Sequence, residues 1–215
     1  MKLIAHRGCS ASEIENTLPA FRAALDCGAG GIETDLRTAQ DGSLWLFHDD
    51  DFSRLAGHSG RVESLDSRAL RGVRLNGGAR LATLDELLAL LRKTQQPGFL
   101  LNLELKGAKH NQLLMAAKVA ALEEAGEFRG LRITVSSFNH AALRAVRTLS
   151  PKIPLAPLWN GRGLFAPVLR TARALEAEAV HLAARAVTAR RLDAIHQAGM
   201  LARAYTVNAP ALAKR

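Results

Sequence analysis

The chain has 215 residues, a length that suits one domain with a single core. Its composition, 48% hydrophobic and 23% charged, excludes a disordered chain. Because no run approaches the ~18 apolar residues of a membrane span, and because the N-terminus turns polar at His6, we expect a cytoplasmic protein without a signal peptide or a stable membrane anchor.

The net charge of +9 at pH 7 raises the question of a nucleic-acid partner. The basic residues are scattered along helical segments such as 169–176 and 185–192, and aromatic residues make up only 5% of the chain. Sequence-tolerant nucleic-acid binding needs a basic groove with stacking side chains, so we expect no nucleic-acid partner. The positive charge is better suited to steering small anionic substrates into a cleft.

Short apolar runs alternate with amphipathic stretches along the chain. The predicted strands are 2–5, 31–36, 44–47, 99–105, 132–136, 153–158, 179–182 and 201–205. The predicted helices are 18–27, 84–93, 111–125, 140–148, 167–175 and 189–198. Several of the strands are almost continuously apolar, which is typical of a parallel sheet buried on both faces. The alternation therefore predicts an α/β fold.

Two segments interrupt this alternation. Gln40-Asp41-Gly42-Ser43 is a turn sequence between two extended runs, so residues 36–48 are predicted to form a hairpin-like excursion. The next segment, about 49–82, has weak periodicity and many Gly and Arg residues. A stretch of about 30 residues is unusual for a plain loop and is typical of a lid or a substrate-side insertion. We expect a single domain, 1–215, that carries a short insertion at this point.

Acidic and basic side chains fall near the ends of the predicted strands. The candidates are, in chain order, His6, Arg7, Glu33, Asp35, His48, Glu104 and Lys106. The members of the pairs 33/35 and 104/106 are two residues apart, so each pair projects to one side of its strand. In a (β/α)8 barrel the C-terminal ends of the strands form one mouth, which would bring all seven residues together. Such a set is suited to metal-assisted phosphoryl chemistry.

These residues lie in motifs that resemble the glycerophosphodiester phosphodiesterase family, in its small bacterial cytoplasmic form. The matching motifs, in family order, are His6-Arg7-Gly8, Glu15-Asn16-Thr17 with Phe21, Gly31-Ile32-Glu33-Thr34-Asp35-Leu36, Thr38 with Asp41-Gly42, His48-Asp49 with Arg54, Thr83-Leu84, Glu104-Leu105-Lys106, Ser136-Ser137-Phe138 and Thr206-Val207-Asn208. The resemblance implies a TIM-type (β/α)8 barrel of the phospholipase C-like phosphodiesterase class and a divalent metal ion. It also implies hydrolysis of glycerophosphodiesters to sn-glycerol 3-phosphate and an alcohol.

The resemblance implies that Glu33, Asp35 and Glu104 are the metal ligands. A carboxylate set without cysteine suits a hard cation, Mg²⁺ or Ca²⁺. Arg7 can hold phosphate oxygens with its planar fork of donors, and Lys106 can add a point charge at the same phosphate. We therefore expect a small glycerophosphodiester as the partner of this site.

His6 and His48 are the expected general base and acid, in an order that the sequence leaves open. No Ser or Cys nucleophile stands in family position, so we expect the neighbouring glycerol hydroxyl to attack phosphorus and to form a cyclic phosphate. Asn16 is expected to position His6 or a phosphate oxygen, or else to start a helix. Phe138 and Tyr205 are expected to line the pocket wall, with a place in the core as the alternative for Phe138.

Two departures from the family pattern leave alternatives open. Tyr205 stands where the family usually has Trp, which leaves the alcohol group of the substrate undecided. The chain ends at Arg215, where a full barrel would need another helix and strand, so we expect about seven barrel strands. An open barrel end invites pairing with a second copy, and a homo-oligomer is one expected outcome. A lysophospholipase D-type enzyme and a non-catalytic binding barrel are the alternative functions.

Overall fold

A computed structural model provides the structure of the chain and describes residues 2–94 and 98–208. The expectation about the chain end at Arg215 lies outside the described residues. The strands are β1 (Ile4–His6), β2 (Gly31–Thr38), β3 (Leu44–Leu46), β4 (Ala82–Thr83), β5 (Leu100–Leu105), β6 (Arg132–Ser137), β7 (Leu155–Trp159), β8 (Ala179–Ala183) and β9 (Leu201–Tyr205). Short 3-10 turns occupy Val62–Ser64, Asn76–Gly78 and Ala184–Ala186.

Every long helix follows a strand of the sheet or its β2–β4 excursion. The helices are α1 (Leu18–Asp26), α2 (Ser53–Ala56), α3 (Ser67–Gly72), α4 (Leu84–Thr94), α5 (Lys109–Glu124), α6 (His140–Leu149), α7 (Phe165–Ala174) and α8 (Ala189–Gln197). Helix α7 begins at Phe165, whereas Pro167 was its predicted first residue. The earlier start is possible because proline is tolerated in the first turn, where its missing N–H has no intrahelical partner.

Seven parallel strands of the described chain lie side by side in the order β1-β2-β5-β6-β7-β8-β9. All eight residues of β2, including its polar ones, and all six of β5 are buried, as in a parallel sheet covered on both faces. Within the described residues β1 pairs only with β2, and β9 pairs only with β8. The expectation of about seven barrel strands is therefore met in this part of the chain.

The main core lies between these strands and the surrounding helices. It includes Phe21 of α1, Leu101 of β5, Val146 of α6 and Ile195 of α8, all of them fully buried. Burial of such side chains supplies most of the stabilising free energy of a domain of this kind. The core holds the strands in register, and the register in turn fixes which side chains meet at the C-terminal mouth.

The excursion after β2 forms as predicted. Strand β3 runs antiparallel to β2, with Leu36 opposite Leu46, and β4 runs antiparallel to β3. The turn between β2 and β3 contains Gly42 at a φ of 80°, a left-handed conformation that glycine adopts without a steric penalty.

The segment 49–82, expected to be a lid or a substrate-side insertion, contains regular structure that its weak periodicity did not indicate. It contains α2, α3 and two 3-10 turns, whose apolar side chains surround a second small core of Trp45, Phe47, Phe52 and Leu70. Helices of one or two turns are too short to show the 3.6-residue period, which explains why the sequence pattern missed them. The segment is packed against β3 and the loop that follows it.

No helix in the described part of the chain is long and apolar enough to cross a membrane.

Candidate active site

Three acidic side chains meet at the C-terminal ends of β2 and β5. His6 pairs with Glu33, and Asp35 pairs with Glu104, in the parallel ladders of these strands. Paired residues on neighbouring strands point to the same side of the sheet. As a result, Glu33, Asp35 and Glu104 each offer a carboxylate oxygen, and these oxygens all lie within 4.8 Å of one another.

The acidic cluster is buried and repels itself. Burial, together with the neighbouring carboxylates of Asp35 and Glu104, raises the pKa of Glu33 well above its ordinary value. Burial also raises the pKa of Glu104, against the opposing charge of Lys106. Glu33 Oε1 and Asp35 Oδ1 have no hydrogen-bond partner among the described residues. These residues fit a divalent cation, because a hard cation would occupy the unpartnered oxygens and relieve the repulsion.

Two cations flank the cluster. Arg7 Nε lies 3.1 Å from Asp35 Oδ2, and Lys106 Nζ lies 2.5 Å from Glu104 Oε1 and 3.4 Å from Asp35 Oδ1. These are ion pairs without good hydrogen-bond alignment. Burial by itself would raise the pKa of Asp35, but the charges of Lys106 and Arg7 lower it below its ordinary value. Asp35 is therefore the member of the acidic cluster that is most firmly ionised.

Asn16 orients Asp35. Its amide nitrogen donates to Asp35 Oδ2 at 2.8 Å, and its amide oxygen accepts from the Thr34 hydroxyl at 2.7 Å and from the Asp35 N–H at 3.3 Å. The structure thus places Asn16 against Asp35 and not against His6. It does not cap the helix either, because Thr17 is the N-cap of α1.

The two histidines stand in different surroundings. His6 Nε2 is 3.8 Å from Glu33 Oε2, and burial together with the adjacent Arg7 charge lowers the pKa of His6 to about 4. His48 Nδ1 is 2.7 Å from Asp49 Oδ1, a hydrogen bond that fixes the orientation of the ring. His6 is therefore neutral at neutral pH, whereas His48 is hydrogen-bonded to a carboxylate.

An ion-pair chain that the sequence did not reveal connects these groups. Arg54 donates from Nε to Asp49 Oδ2 at 2.6 Å and from Nη2 to Glu15 Oε1 at 2.7 Å. Glu15 also accepts from Arg7 Nη1 at 2.8 Å. This series of ion pairs runs from Asp49, the partner of His48, to Arg7, the partner of Asp35. Both Glu15 and Arg54 stand in the motifs quoted above.

Arg37 is another buried residue of the site that the sequence analysis did not single out. It is buried, and it donates to the carbonyl oxygens of Phe47 at 3.1 Å and His48 at 2.7 Å. The same guanidinium pairs with Asp50 at 2.9 Å and Glu63 at 2.5 Å. The signal was present, because Arg37 continues the two-residue spacing of the acidic pair along β2. Arg37 thus fixes the loop that carries His48.

A cleft of about 370 Å³ opens at this mouth. Of the predicted residues, His48, Glu104, Lys106 and Phe138 line it, and the remaining lining residues are Arg37, Asp49, Asp50, Leu105, Gly107, Gln112 and Ser137. Phe138 is 46% exposed and so lies outside the core.

Tyr205 stands next to Phe138. The two rings meet edge to face, with their centroids 6.2 Å apart. Burial raises the pKa of Tyr205, and its hydroxyl has no hydrogen-bond partner among the described residues. The position that departs from the family pattern therefore brings a buried polar atom towards the cleft.

Comparison with known proteins identifies the family. The model of the glycerophosphoryl diester phosphodiesterase family matches residues 6–215. A glycerophosphodiester phosphodiesterase of Bacillus altitudinis is 32% identical over 216 residues, which cover 96% of this chain and 86% of the relative. Another, from Caldanaerobacter subterraneus subsp. tengcongensis, is 32% identical over 192 residues, which cover 83% of this chain and 74% of the relative.

Solved structures confirm the predicted fold. A phosphodiesterase of Oleispira antarctica, in complex with the product sn-glycerol-3-phosphate, has a TM-score of 0.90 at 24% identity and covers 100% of this chain and 87% of its own. A glycerophosphodiester phosphodiesterase of Thermotoga maritima has a TM-score of 0.79 at 24% identity and covers 100% of this chain and 89% of its own. The fold is a TIM-type barrel, and the chain is an enzyme that belongs to the glycerophosphoryl diester phosphodiesterase family.

Proposed function

We propose that this protein hydrolyses glycerophosphodiesters to sn-glycerol 3-phosphate and an alcohol with the help of a divalent cation held by Glu33, Asp35 and Glu104. The observation that carries the proposal is the buried cluster of these three carboxylates, with two cations and two histidines around it. The relative from Oleispira antarctica, which binds sn-glycerol-3-phosphate, supports the substrate class. The chain then acts as one barrel domain, 1–215, with the insertion 49–82 beside the cleft.

Mg²⁺ and Ca²⁺ are the cations that an all-carboxylate site favours. When bound, the cation would neutralise the phosphodiester and stabilise the negative charge that develops during the reaction. Lys106 lines the cleft and reaches the same phosphate as a point charge. Arg7 either holds phosphate oxygens of the substrate or pairs with Asp35 and keeps that carboxylate in place.

Proton transfer follows from the different surroundings of the two histidines. Neutral His6 accepts the proton of the glycerol hydroxyl next to the phosphate, and this oxygen attacks phosphorus. The bond from phosphorus to the alcohol oxygen breaks, and His48, whose ring Asp49 orients at 2.7 Å, gives that oxygen its proton. Water then opens the cyclic phosphate, with His48 accepting a proton from water and His6 returning its proton to the glycerol oxygen.

The primary test is release of glycerol 3-phosphate from glycerophosphocholine, measured with a coupled dehydrogenase in Mg²⁺, in Ca²⁺ and in EDTA. We expect turnover with a cation and none in EDTA. His6→Ala and His48→Ala should each lower kcat by about 10²- to 10⁴-fold, because each removes one proton transfer. His196→Ala, at an exposed position near the end of α8, is the matched control and should retain full activity. Turnover in EDTA, or an active His48→Ala variant, would contradict the proposal.

The cyclic step has its own test. A substrate analogue in which hydrogen replaces the hydroxyl next to the phosphate cannot form the ring. We expect this analogue to bind as a competitive inhibitor without being cleaved. Cleavage at a rate comparable to that of glycerophosphocholine would show that water attacks phosphorus directly.

A further inference from the structure

One side of the barrel mouth carries exposed cations and has no acidic residue in its loops. The loops after β5, β6, β7 and β8 span 106–108, 138–139, 160–164 and 184–188, and they contain no Asp or Glu. Lys109, Arg162 and Arg185 are exposed cations on this side. Besides the buried acidic cluster of Glu33, Asp35 and Glu104, acidic residues occur in the loop after β1 and in the segment 49–82, but that segment also contains six Arg against five Asp and Glu. The side of the mouth formed by these four loops is thus positively charged, with no acidic residue in the loops to offset the charge.

Exposed apolar side chains stand among these cations. Leu164 is 79% exposed, Leu114 is 54% exposed and Phe138 is 46% exposed. They lie on the loops or first two helical turns that follow three neighbouring strands, β7, β5 and β6. We call the set of Lys109, Leu114, Phe138, Arg162, Leu164 and Arg185 the mouth patch. Exposed leucines next to basic residues are typical of surfaces that contact lipid.

Two left-handed glycines and two hydrogen bonds fix the conformation of the loop that carries Leu164. Gly161 and Gly163 adopt left-handed conformations with φ of 85° and 69°, and a Cβ atom at Gly161 would come within 2.9 Å of Ala186 Cβ. The Trp159 indole N–H donates to the Arg162 carbonyl at 2.8 Å. Arg185 donates to the Asn160 carbonyl at 2.8 Å. These contacts hold Leu164 in an exposed position that contributes nothing to the core.

We propose that the mouth patch docks the protein reversibly on an anionic phospholipid surface. Charge complementarity favours this partner, because each basic residue at an anionic bilayer strengthens binding by roughly fivefold. Leucine side chains add affinity by entering the boundary between head groups and acyl chains. A nucleic acid would gain little from aliphatic side chains, since bases stack on aromatic or guanidinium planes. Docking here presents the cleft to the membrane, at the end of the barrel where the candidate active site lies.

The test is sedimentation of the full chain with vesicles, which needs no enzymatic activity. We expect the protein to pellet with vesicles of equal parts phosphatidylcholine and phosphatidylglycerol, and to stay in the supernatant with phosphatidylcholine alone. Leu164→Ser should weaken binding about tenfold, and Arg162→Gln roughly fivefold. Leu149→Ser and Arg173→Gln are matched controls, because both residues are exposed at the last turns of α6 and α7, at the opposite end of the barrel. These two controls should bind like the original protein.

Three outcomes would overturn the proposal. The first is the absence of binding to anionic vesicles, and the second is equal loss in patch and control variants. The third is tight binding to single-stranded RNA that Leu164→Ser does not change, which would assign the patch to a nucleic acid. Turnover of glycerophosphocholine by Leu164→Ser should remain unchanged, because this water-soluble substrate does not need docking. Vesicle binding and turnover therefore fail or succeed independently of each other.

Discussion

At the residue scale, Asn16 is a buried amide that makes hydrogen bonds with both its nitrogen and its oxygen. Its partners are the carboxylate and N–H of Asp35 and the hydroxyl of Thr34. The nitrogen contact leaves Asp35 Oδ1 without a hydrogen-bond partner among the described residues. A carboxylate that a neighbour orients in this way loses less entropy when it binds a cation. Asn16 itself has a φ of 57°, so the chain holds it in a left-handed conformation.

Asn16→Gly should therefore weaken cation binding without straining the backbone. We expect the concentration of Mg²⁺ or Ca²⁺ for half-maximal activity to rise by about 10- to 100-fold, as for other residues that orient metal ligands. Titration of activity with the cation, or calorimetry of cation binding, measures the effect. Thr34→Val keeps the amide and removes only one contact to it, so its shift should be smaller. An unchanged cation requirement in Asn16→Gly would show that Asp35 needs no support.

The sequence could identify Asn16 as a candidate but not its contact. Residues 16 and 35 are separated by a helix, so only the tertiary fold brings the amide to the carboxylate. Local patterns report which face of an element a residue occupies. They do not report which of several polar neighbours on that face it will contact. For the same reason, the pairing of Arg54 with Glu15 could not be read from the motifs that contain them.

At the scale of the element, β2 contributes three charged residues to one face. Glu33 and Asp35 belong to the acidic cluster, and Arg37 follows at the same spacing. Arg37 holds the carbonyls of Phe47 and His48, and so it connects the strand to the loop beyond β3. Two-residue periodicity could predict the acidic pair because both acids lie in one strand. It could not predict the role of Arg37, because that role depends on where the excursion returns.

Arg37→Lys should disturb this loop, because an ammonium cannot bond two carbonyls and two carboxylates in one plane. We expect kcat to fall roughly 10- to 100-fold, since small displacements of a proton donor are costly. KM should change much less, because the acidic cluster and Lys106 remain. Steady-state kinetics separate the two parameters. Glu63→Gln leaves both carbonyl contacts intact and should retain most of the activity. A normal kcat in Arg37→Lys would mean that the core around Phe47 holds the loop by itself.

At the scale of the whole molecule, the parallel α/β sheet was predictable from periodicity and the barrel from the family resemblance, but the packing of the insertion was not. Continuous apolar strands alternating with helices define a parallel sheet, and the helices recur at lengths that show their period. The segment 49–82 uses helices of four and six residues, which are held by tertiary contacts of Phe52 and Leu70. Such elements are specified by the surface they pack on, and a one-dimensional pattern carries little information about that surface.

A polar network connects three strands within the sheet. Glu178 accepts from Thr134 of β6 at 2.9 Å and from Arg203 of β9 at 3.0 Å, and it also pairs with Arg132. Arg203 Nη1 lies 3.2 Å from His181 Nε2 of β8. Burial and the Arg203 charge lower the pKa of His181 to about 3. The network therefore contains a buried histidine that stays neutral throughout the pH range in which free histidine becomes protonated.

This network predicts how the stability of the molecule depends on pH. In the unfolded chain His181 binds a proton below pH 6.5, whereas in the folded chain it does so only near pH 3. The unfolded state is thus favoured as pH falls through this window, and the free energy of unfolding should decrease by up to about 1.4 kcal/mol per pH unit from this residue. His181→Gln keeps an acceptor for Arg203 but does not titrate, so urea unfolding between pH 6 and pH 4 should show a slope that is shallower by that amount. His196→Gln, at an exposed site on α8, should keep the original slope. Parallel pH profiles for His181→Gln and the original protein would mean that water or a rearranged Arg203 lets the buried ring take up its proton.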